Sequence, residues 1–312
     1  MVRSARHPVT VRHQAGRVDA VLNQPAALAD RIGFMQGTLL GPVGDRIQAY
    51  PWDHWRDEFP TARRYGFGLM EWTLGQDRIL MNPVMSASGR HEIRNLCGEF
   101  GVSIPSLTAD FLMQAPFYKA SGRERLARLD VLGAVIEACA DVGIGLLVLP
   151  LLQGARLRTP REIEALRSGL GQLAPLLDTS RVVVAFESDL APAQLATLVR
   201  PYSADRFGIT YDTGNGTARG FDSAQEIAAY GHRILNVHLN DWIWTGGCIA
   251  SGTGRTDLAS TLSHLRRVGY RGNLILQTVC AASNHAEWLA QYRALTATWW
   301  NLSVADAVER RV

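Results

Sequence analysis

The sequence is poor in several features that define other classes of protein. Lys119 is the single lysine among 32 basic residues, so Schiff-base chemistry, which needs a lysine amine, would depend on one side chain. The four cysteines are far apart and form no CxxC pair, which argues against a zinc knuckle or a disulfide framework. No apolar run approaches the ~20 residues of a membrane span, and the N-terminal segment has no hydrophobic signal core. We therefore expect a cytoplasmic protein with reduced thiols.

The charged residues give no sign of a nucleic-acid or membrane partner. Basic residues are spread along the chain, whose formal net charge is +3. No basic cluster alternates with aromatic residues, as it does in nucleic-acid grooves. We expect a small-molecule partner, with neither nucleic acid nor membrane, and the sequence leaves a homo-oligomer open.

Eight short apolar runs alternate with helical, charge-bearing segments from Arg31 onward. The runs are IGFMQ, GLMEW, VSIPSL, GLLVLPLL, VVVAFE, FGITYD, ILNVHL and NLILQT. Helix start signals lie between them, such as Thr159 with Glu162 and Ser223 with Glu226. Runs that are apolar on both faces indicate parallel strands covered by helices.

This pattern predicts an α/β protein, a single-domain (β/α)8 TIM barrel over residues 31–312 that ends in a C-terminal helix. Residues 1–30 are predicted to be a short, loosely ordered N-terminal extension. The alternative, a doubly wound sheet, is disfavoured because no GxGxxG motif follows the first strand.

Polar residues end four consecutive predicted strands. They are Glu187 in VAFE, Asp212 in ITYD, His238 in NVHLND and Gln277 in LILQ. The C-terminal ends of barrel strands converge on one mouth, so these side chains are expected to lie together. Two carboxylates, an imidazole and an amide oxygen favour Mn²⁺, with Mg²⁺, Co²⁺ or the less favoured Zn²⁺ as alternatives. Singly, each residue could instead be a helix-capping or ion-paired carboxylate, or a hydrogen-bonded strand histidine.

A family resemblance extends over roughly residues 31–300. The motifs GFMQGTL, IQAYPWDHW, MEW, LTADFLMQAPF, LPLL, FES, YDTGN, HLND, GTGRTD and GYRGNLILQT resemble, in order and spacing, the xylose isomerase-like TIM barrels. The most similar type is the sugar phosphate isomerases and epimerases, of the hexulose-6-phosphate isomerase or L-xylulose-5-phosphate 3-epimerase kind. The resemblance implies metal ligands at Glu187, Asp212, His238 and Gln277, although the family has glutamate at the last position.

Gln277 changes the expected chemistry because an amide oxygen can bind a metal but cannot exchange protons. This puts a two-base epimerisation in doubt. What remains is a scheme in which Glu187 removes the α-proton of a metal-chelated hydroxy-ketone, and the metal and His238 hold the enediolate charge. We therefore predict a divalent-metal-dependent isomerase or epimerase of a sugar or sugar derivative. The alternatives are a metal-dependent dehydratase of a keto-sugar or cyclitol, and a sugar-binding barrel that has lost catalysis.

Six further residues are predicted to contact the substrate. Gln36, Glu71 and Asp110 lie at or after strands 1 to 3, and Asn240, Trp242 and Arg255 lie in or near the loop after strand 7. Asp110 or Glu71 could also act as a second acid. Alternatively, the first three only brace the rim, Trp242 packs over the rim or in a subunit interface, and Arg255 is solvated.

Three residues that differ from the residues of the similar families argue against particular substrates. Thr38 and Asn240 stand where the family often has arginine and lysine, which weakens the case for a phosphate. Asn215 stands where the endonuclease IV type adds a histidine ligand. Without that histidine or a basic groove, DNA repair is disfavoured.

Overall fold

The computed structural model describes four stretches of the chain, residues 27–41, 49–241, 254–277 and 284–302. Its eight strands pair in chain order as a closed parallel barrel, with β8 hydrogen-bonded to β1. They are β1 Ile32–Met35, β2 Leu69–Thr73, β3 Ser103–Thr108, β4 Leu146–Leu151, β5 Val183–Ser188, β6 Phe207–Asp212, β7 Ile234–Leu239 and β8 Asn273–Leu276. The predicted (β/α)8 TIM barrel is confirmed, and each predicted apolar run overlaps one strand.

Helices follow the strands and cover the outside of the barrel. They are α1 Glu58–Arg64, α2 Ala87–Phe100, α3 Phe111–Gln114, α4 Gly122–Val142, α5 Pro160–Gln172, α6 Ala174–Ser180, α7 Pro192–Val199, α8 Thr213–Arg219, α9 Ser223–Tyr230, α10 Leu258–Arg267 and α11 His285–Asn301.

Two predicted helix starts have different outcomes. Thr159 caps α5 in a reciprocal capping box with Glu162, as expected from the sequence. Ser223 is instead the first residue of α9, and Asp222 is the cap, because its carboxylate accepts the N–H of Ala224 at 2.7 Å. A carboxylate one residue earlier therefore takes the capping role from the serine hydroxyl.

The apolar core has an outer and an inner part. The large outer part fills the space between the strands and the helices. Inside the barrel, Met35, Leu69 and Ile275 form one small apolar cluster, and residues of β4, β5 and β7 form another. In β2, Leu69 is followed two residues later by Glu71, on the same face of the strand. The interior therefore changes from apolar to polar toward the C-terminal ends of the strands.

Arg31 fixes the start of the first strand, at the end of the barrel opposite the mouth. Arg31 ends a short 3-10 helix, Leu28–Arg31, and its guanidinium donates to the carbonyl of Gly272 at 2.7 and 3.0 Å. This contact joins the start of β1 to the start of β8. The predicted division into an extension over 1–30 and a barrel over 31–312 lies partly outside the described residues and stays a prediction. Within the described stretches, the helices lack the length and apolar character that a membrane crossing requires.

Candidate metal centre

Three neighbouring strands bring polar side chains to the mouth of the barrel, meaning the C-terminal ends of the strands and the loops that follow. Glu187 lies on β5 opposite Thr210 of β6, and Asp212 ends β6 opposite His238 of β7. Side chains alternate between the two faces of a strand. Since Glu187, Asp212 and His238 face the interior, adjacent residues such as Tyr211 face the helices.

Glu187, Asp212 and His238 form a compact group of potential ligands. One ligand atom from each lies within 4.8 Å of the others, and all three side chains are buried. Nδ1 of His238 makes no hydrogen bond and lies 3.7 Å from Oε1 of Glu187. An imidazole nitrogen and two carboxylates that converge in this way suit a divalent cation.

Burial and mutual repulsion raise the pKa of Asp212 to about 7, with burial as the larger cause and the charge of Glu187 as the second. His238 and the N–H of Asn215, which donates to Oδ1 at 2.6 Å, act in the opposite direction. Through this hydrogen bond Asp212 also caps α8. Helix capping, predicted as the alternative to metal binding, is therefore observed together with the clustering. A cation between the two carboxylates would remove the repulsion.

The other ring nitrogen of His238 faces a buried carboxylate. Nε2 lies 2.8 Å from Oε1 of Glu71, while Oε2 of Glu71 accepts from Asn236 at 2.7 Å and from Ser106 at 2.6 Å. Burial alone would lower the pKa of His238, but the carboxylates of Glu71 and Glu187 hold it well above its ordinary value. The contacts described for Glu71 lie within the protein. The substrate-binding role predicted for Glu71 stays a prediction, and these contacts favour a positioning role instead.

Asp110 follows β3 and is half-buried at the mouth. It accepts a hydrogen bond from Thr108 Oγ1 at 3.0 Å. Its pKa is raised to about 7, first by burial and then by the negative charge of Glu187. This electrostatic interaction places Asp110 in the vicinity of Glu187. Substrate contact or acid catalysis by Asp110 stays a prediction that its position supports.

Gln36 lies directly after β1 and is fully buried. Its Oε1 accepts the backbone N–H of Thr73 at 3.2 Å, and its carbonyl accepts the Thr73 hydroxyl at 3.1 Å. These contacts brace the ends of β1 and β2, which was the alternative role expected from the sequence. Direct substrate contact by Gln36 stays a prediction.

The remaining predicted residues lie around the ends of β7 and β8. Asn240 is held by Thr213, which donates to its carbonyl at 2.8 Å and accepts from its N–H at 2.9 Å. Arg255 is exposed, and the residue after it, Thr256, donates to the carbonyl of Asn240 at 3.2 Å. Gln277 follows β8, and its backbone N–H donates to the carbonyl of Leu239, next to His238, at 3.1 Å. These three roles stay predictions, whereas Trp242 lies outside the described residues.

Two features of the mouth were not predicted from the sequence. Asn215 donates from Nδ2 to Oε1 of Glu187 at 3.2 Å. Its position three residues after Asp212 was the feature of the sequence from which a place in the site could have been predicted. A second feature is a cluster in which Arg156 and Arg219 both pair with Asp189. Its members follow β4, β6 and β5 respectively, and their wide separation in the sequence concealed it. The cluster joins the segments that follow β4, β5 and β6 at the rim and carries one net positive charge.

The residues present suit a divalent cation on two observations. The donor set is two carboxylate oxygens and one imidazole nitrogen, a combination that binds Mn²⁺, Mg²⁺, Co²⁺ or Zn²⁺. The imidazole nitrogen in that set is buried without a hydrogen bond, although buried polar atoms are rarely left so. Glu187, Asp212 and His238 would hold the ion, and Gln277 is the predicted fourth ligand.

In a comparison with known protein families, a family model described as a xylose isomerase-like TIM barrel matches residues 59–298 of the chain. Comparison with curated protein sequences finds no match.

Comparison with solved structures finds barrels of low sequence identity. The 3-keto-D-glucoside 4-epimerase of E. coli is 18% identical with a TM-score of 0.65, covering 86% of this chain and 99% of that chain. An L-ribulose 3-epimerase is 16% identical with a TM-score of 0.67, covering 90% and 96%. A protein named IolI, with a bound zinc atom, is 16% identical with a TM-score of 0.61, covering 90% and 99%. Identities this low show a shared fold alone.

Proposed function

The chain belongs to the xylose isomerase-like TIM barrel family, and we propose that it is a divalent-metal-dependent isomerase or epimerase of a sugar or sugar derivative. The observation that carries this proposal is the convergence of Glu187, Asp212 and His238 within 4.8 Å at the mouth of the barrel. Barrels of this fold that act on sugars, the 3-keto-D-glucoside 4-epimerase and the L-ribulose 3-epimerase, support the substrate class.

Mn²⁺ is the ion we propose, because oxygen donors predominate over nitrogen in the donor set. Zn²⁺ is the main alternative, since IolI is named with a bound zinc atom. When bound, the cation would act as a Lewis acid that draws negative charge onto the substrate oxygens. Location in the cytoplasm stays a prediction from the sequence.

Glu187 is the proposed general base. Asn215 holds Oε1 of Glu187 at 3.2 Å, on the side that also faces His238. We therefore assign the proton taken from the substrate α-carbon to the other carboxylate oxygen, Oε2. General-base catalysis of this kind contributes about 10²–10⁴-fold to a rate. Return of this proton to the neighbouring carbon by Glu187 gives aldose–ketose isomerisation.

His238 is proposed to act as a ligand. Its Nε2 is occupied by Glu71 at 2.8 Å, and its Nδ1 faces Glu187 and Asp212. Neither nitrogen is then available to hydrogen-bond a substrate oxygen. The role predicted from the sequence, in which His238 holds enediolate charge directly, is less favoured by these contacts.

A dehydratase is the second candidate, and Asp110 is the residue that favours it. Its pKa near 7 allows it to be protonated at neutral pH, as a general acid must be. An acid at this position can protonate a β-hydroxyl as it leaves, after Glu187 has removed the α-proton. In an epimerisation, the same acid could instead deliver a proton to the opposite face of the substrate. It would then replace the glutamate that the family has at the position of Gln277.

The test is proton exchange in D₂O with Mn²⁺ and a panel of neutral and phosphorylated ketoses. Deuterium at the α-carbon, seen by NMR, is expected for at least one ketose, and the accompanying product distinguishes isomerisation, epimerisation and loss of water. Glu187→Gln should reduce the exchange by about 10²–10⁴-fold without unfolding the protein. Exchange on no ketose in the panel would favour a sugar-binding barrel without catalysis. Exchange at an undiminished rate in Glu187→Gln would refute the assigned base.

A further inference from the structure

Glu71 is a charged side chain in the interior of the barrel. Its side chain is fully buried, and both carboxylate oxygens are engaged, Oε1 by His238 and Oε2 by Asn236 and Ser106. Ser106 is its register partner on β3, whereas His238 and Asn236 lie on β7, on the far side of β1 and β8. Glu71 therefore links strands that are not neighbours.

The cost of burying this carboxylate indicates that it has a function beyond packing. An isolated buried charge costs several kcal/mol, and hydrophobic replacement of a buried ion pair is often neutral or stabilising. The adjacent interior positions, Met35, Leu69 and Ile275, are apolar and form a packed cluster. An apolar side chain in place of Glu71 would extend that cluster.

The hydrogen-bonding partners determine which nitrogen of His238 carries the proton. Asn236 and Ser106 act as donors to Oε2 of Glu71, which leaves Oε1 to accept from His238 Nε2. The Nε2–H proton is then fixed by Glu71, and Nδ1 is the nitrogen that faces Glu187, 3.7 Å away. The ring therefore offers Nδ1 to the site.

We propose that Glu71 is a positioning residue, which orients His238 and fixes its tautomer so that Nδ1 is the nitrogen that binds the divalent cation. Ser106 and Asn236 hold Glu71 in place for this task. The inference rests on the proposed function only in requiring that a metal binds at Glu187, Asp212 and His238. Histidine ligands commonly donate their other N–H to a carboxylate, which orients the ring and makes it a stronger ligand.

The first test is metal affinity, measured by calorimetric titration of Mn²⁺ into metal-free protein. Glu71→Gln keeps the size of the side chain but replaces one carboxylate oxygen by an amide NH₂. Since Ser106, Asn236 and His238 all donate to this group, the NH₂ loses at least one of these hydrogen bonds. We expect affinity to fall about 10–100-fold, the usual effect of losing such a partner. The matched control is Glu226→Gln, a second buried carboxylate held by two hydrogen bonds but on the helix-facing side of β6, opposite to the proposed ligands.

Four outcomes of this titration are distinguishable. A loss confined to Glu71→Gln supports the proposal. Unchanged affinity in Glu71→Gln, or an equal loss in Glu226→Gln, overturns it and leaves the metal site standing. Absence of binding to the unaltered protein would instead refute the metal-dependent function itself.

The second test needs no folded Glu71 variant, because it reads the ring of His238 in the unaltered protein. The protein is labelled with ¹⁵N-histidine and loaded with diamagnetic Zn²⁺, and the His238 signals are assigned by their loss in His238→Gln. We expect the shift of a metal-bound nitrogen at Nδ1, together with a slowly exchanging, downfield Nε2 proton. Metal at Nε2 would overturn the proposal.

Discussion

Two buried carboxylate groups lie on opposite faces of β6, and their surroundings differ in one decisive respect. Toward the helices, Glu226 accepts hydrogen bonds from Tyr211 at 3.0 Å and Tyr230 at 2.9 Å. Toward the barrel interior, Asp212 faces a second carboxylate, Glu187, and a histidine nitrogen without a hydrogen bond. Adjacent residues of one strand, Tyr211 and Asp212, therefore belong to a satisfied cluster and an unsatisfied one.

Burial alone does not distinguish these clusters, because it raises the pKa of both Glu226 and Asp212. At Glu226 the two tyrosine hydroxyls oppose the rise, and the cluster is complete without a ligand. At Asp212 the charge of Glu187 adds to the rise. A cation would relieve the repulsion between the convergent carboxylates and occupy the open nitrogen, as the proposed function requires. The carboxylate between two hydroxyls needs no such ligand.

The largest difference between the clusters is expected in catalysis. Glu187→Gln should reduce α-proton exchange and turnover by about 10²–10⁴-fold, since the amide cannot accept a proton. Glu226→Gln should change turnover little. Both variants are measured on the ketose that exchanges fastest with the unaltered protein, with circular dichroism as the check on folding. Equal losses in the two variants would erase the functional distinction between the two faces of β6.

Metal should stabilise the protein, and more so at higher pH. At a free ion concentration 100 times the Kd, the free energy of unfolding should rise by about 2.7 kcal/mol. Asp212, with a pKa of about 7, and His238, with a raised pKa, must lose protons to bind. At one fixed Mn²⁺ concentration the shift in melting temperature should thus be greater at pH 8 than at pH 6.

The metal-free protein should respond to pH in the opposite direction. Asp212 holds its proton more firmly when folded, with a pKa of about 7 against 3.8. The free energy of unfolding should therefore fall as pH rises from about 4 to about 7. A metal-induced shift that is independent of pH would contradict this reading of the mouth, and thermal melts with and without Mn²⁺ measure both effects.

Glu226→Gln provides the converse test, in which stability changes and metal binding does not. Loss of the charged acceptor for Tyr211 and Tyr230 should lower the free energy of unfolding by about 1–3 kcal/mol, measured by urea denaturation. Mn²⁺ affinity should stay unchanged. A large loss of affinity would mean that the outer cluster belongs to the site.

The smallest expected effect is a gain. Gln277→Glu adds a carboxylate at the position of the predicted fourth ligand, and greater ligand charge should strengthen Mn²⁺ binding about tenfold, or about 1.4 kcal/mol. Gln277→Leu, which removes the amide oxygen, should weaken binding. Identical affinities in all three forms would place Gln277 outside the ligand set.

Strand content and ligand convergence could be predicted from the sequence because both depend on local patterns. An apolar run that ends in a polar residue, as at Glu187 and Asp212, predicts a strand. It also predicts that the side chain of the polar residue lies at the C-terminal end of the barrel. The closed barrel then brings these ends together. Similar reasoning correctly predicted the capping box of Thr159 with Glu162.

The contacts between distant residues could not be predicted in this way. Glu71 resembled a rim residue, because nothing in MEW shows that its carboxylate reaches Asn236 and His238 inside the barrel. Arg156 and Arg219 meet at Asp189 only because the segments that follow β4, β5 and β6 converge at the rim. Such pairings depend on three-dimensional packing, for which a single sequence carries no periodic signal.

The most direct measurement is a calorimetric titration of Mn²⁺ into metal-free protein, compared with the Asp212→Asn variant. If Glu187, Asp212 and His238 form one metal centre, the unaltered protein should bind one ion per chain, and the variant should lose that binding while remaining folded. No bound ion in the unaltered protein, or the same stoichiometry and affinity in the variant, would contradict a metal centre at the mouth of this barrel.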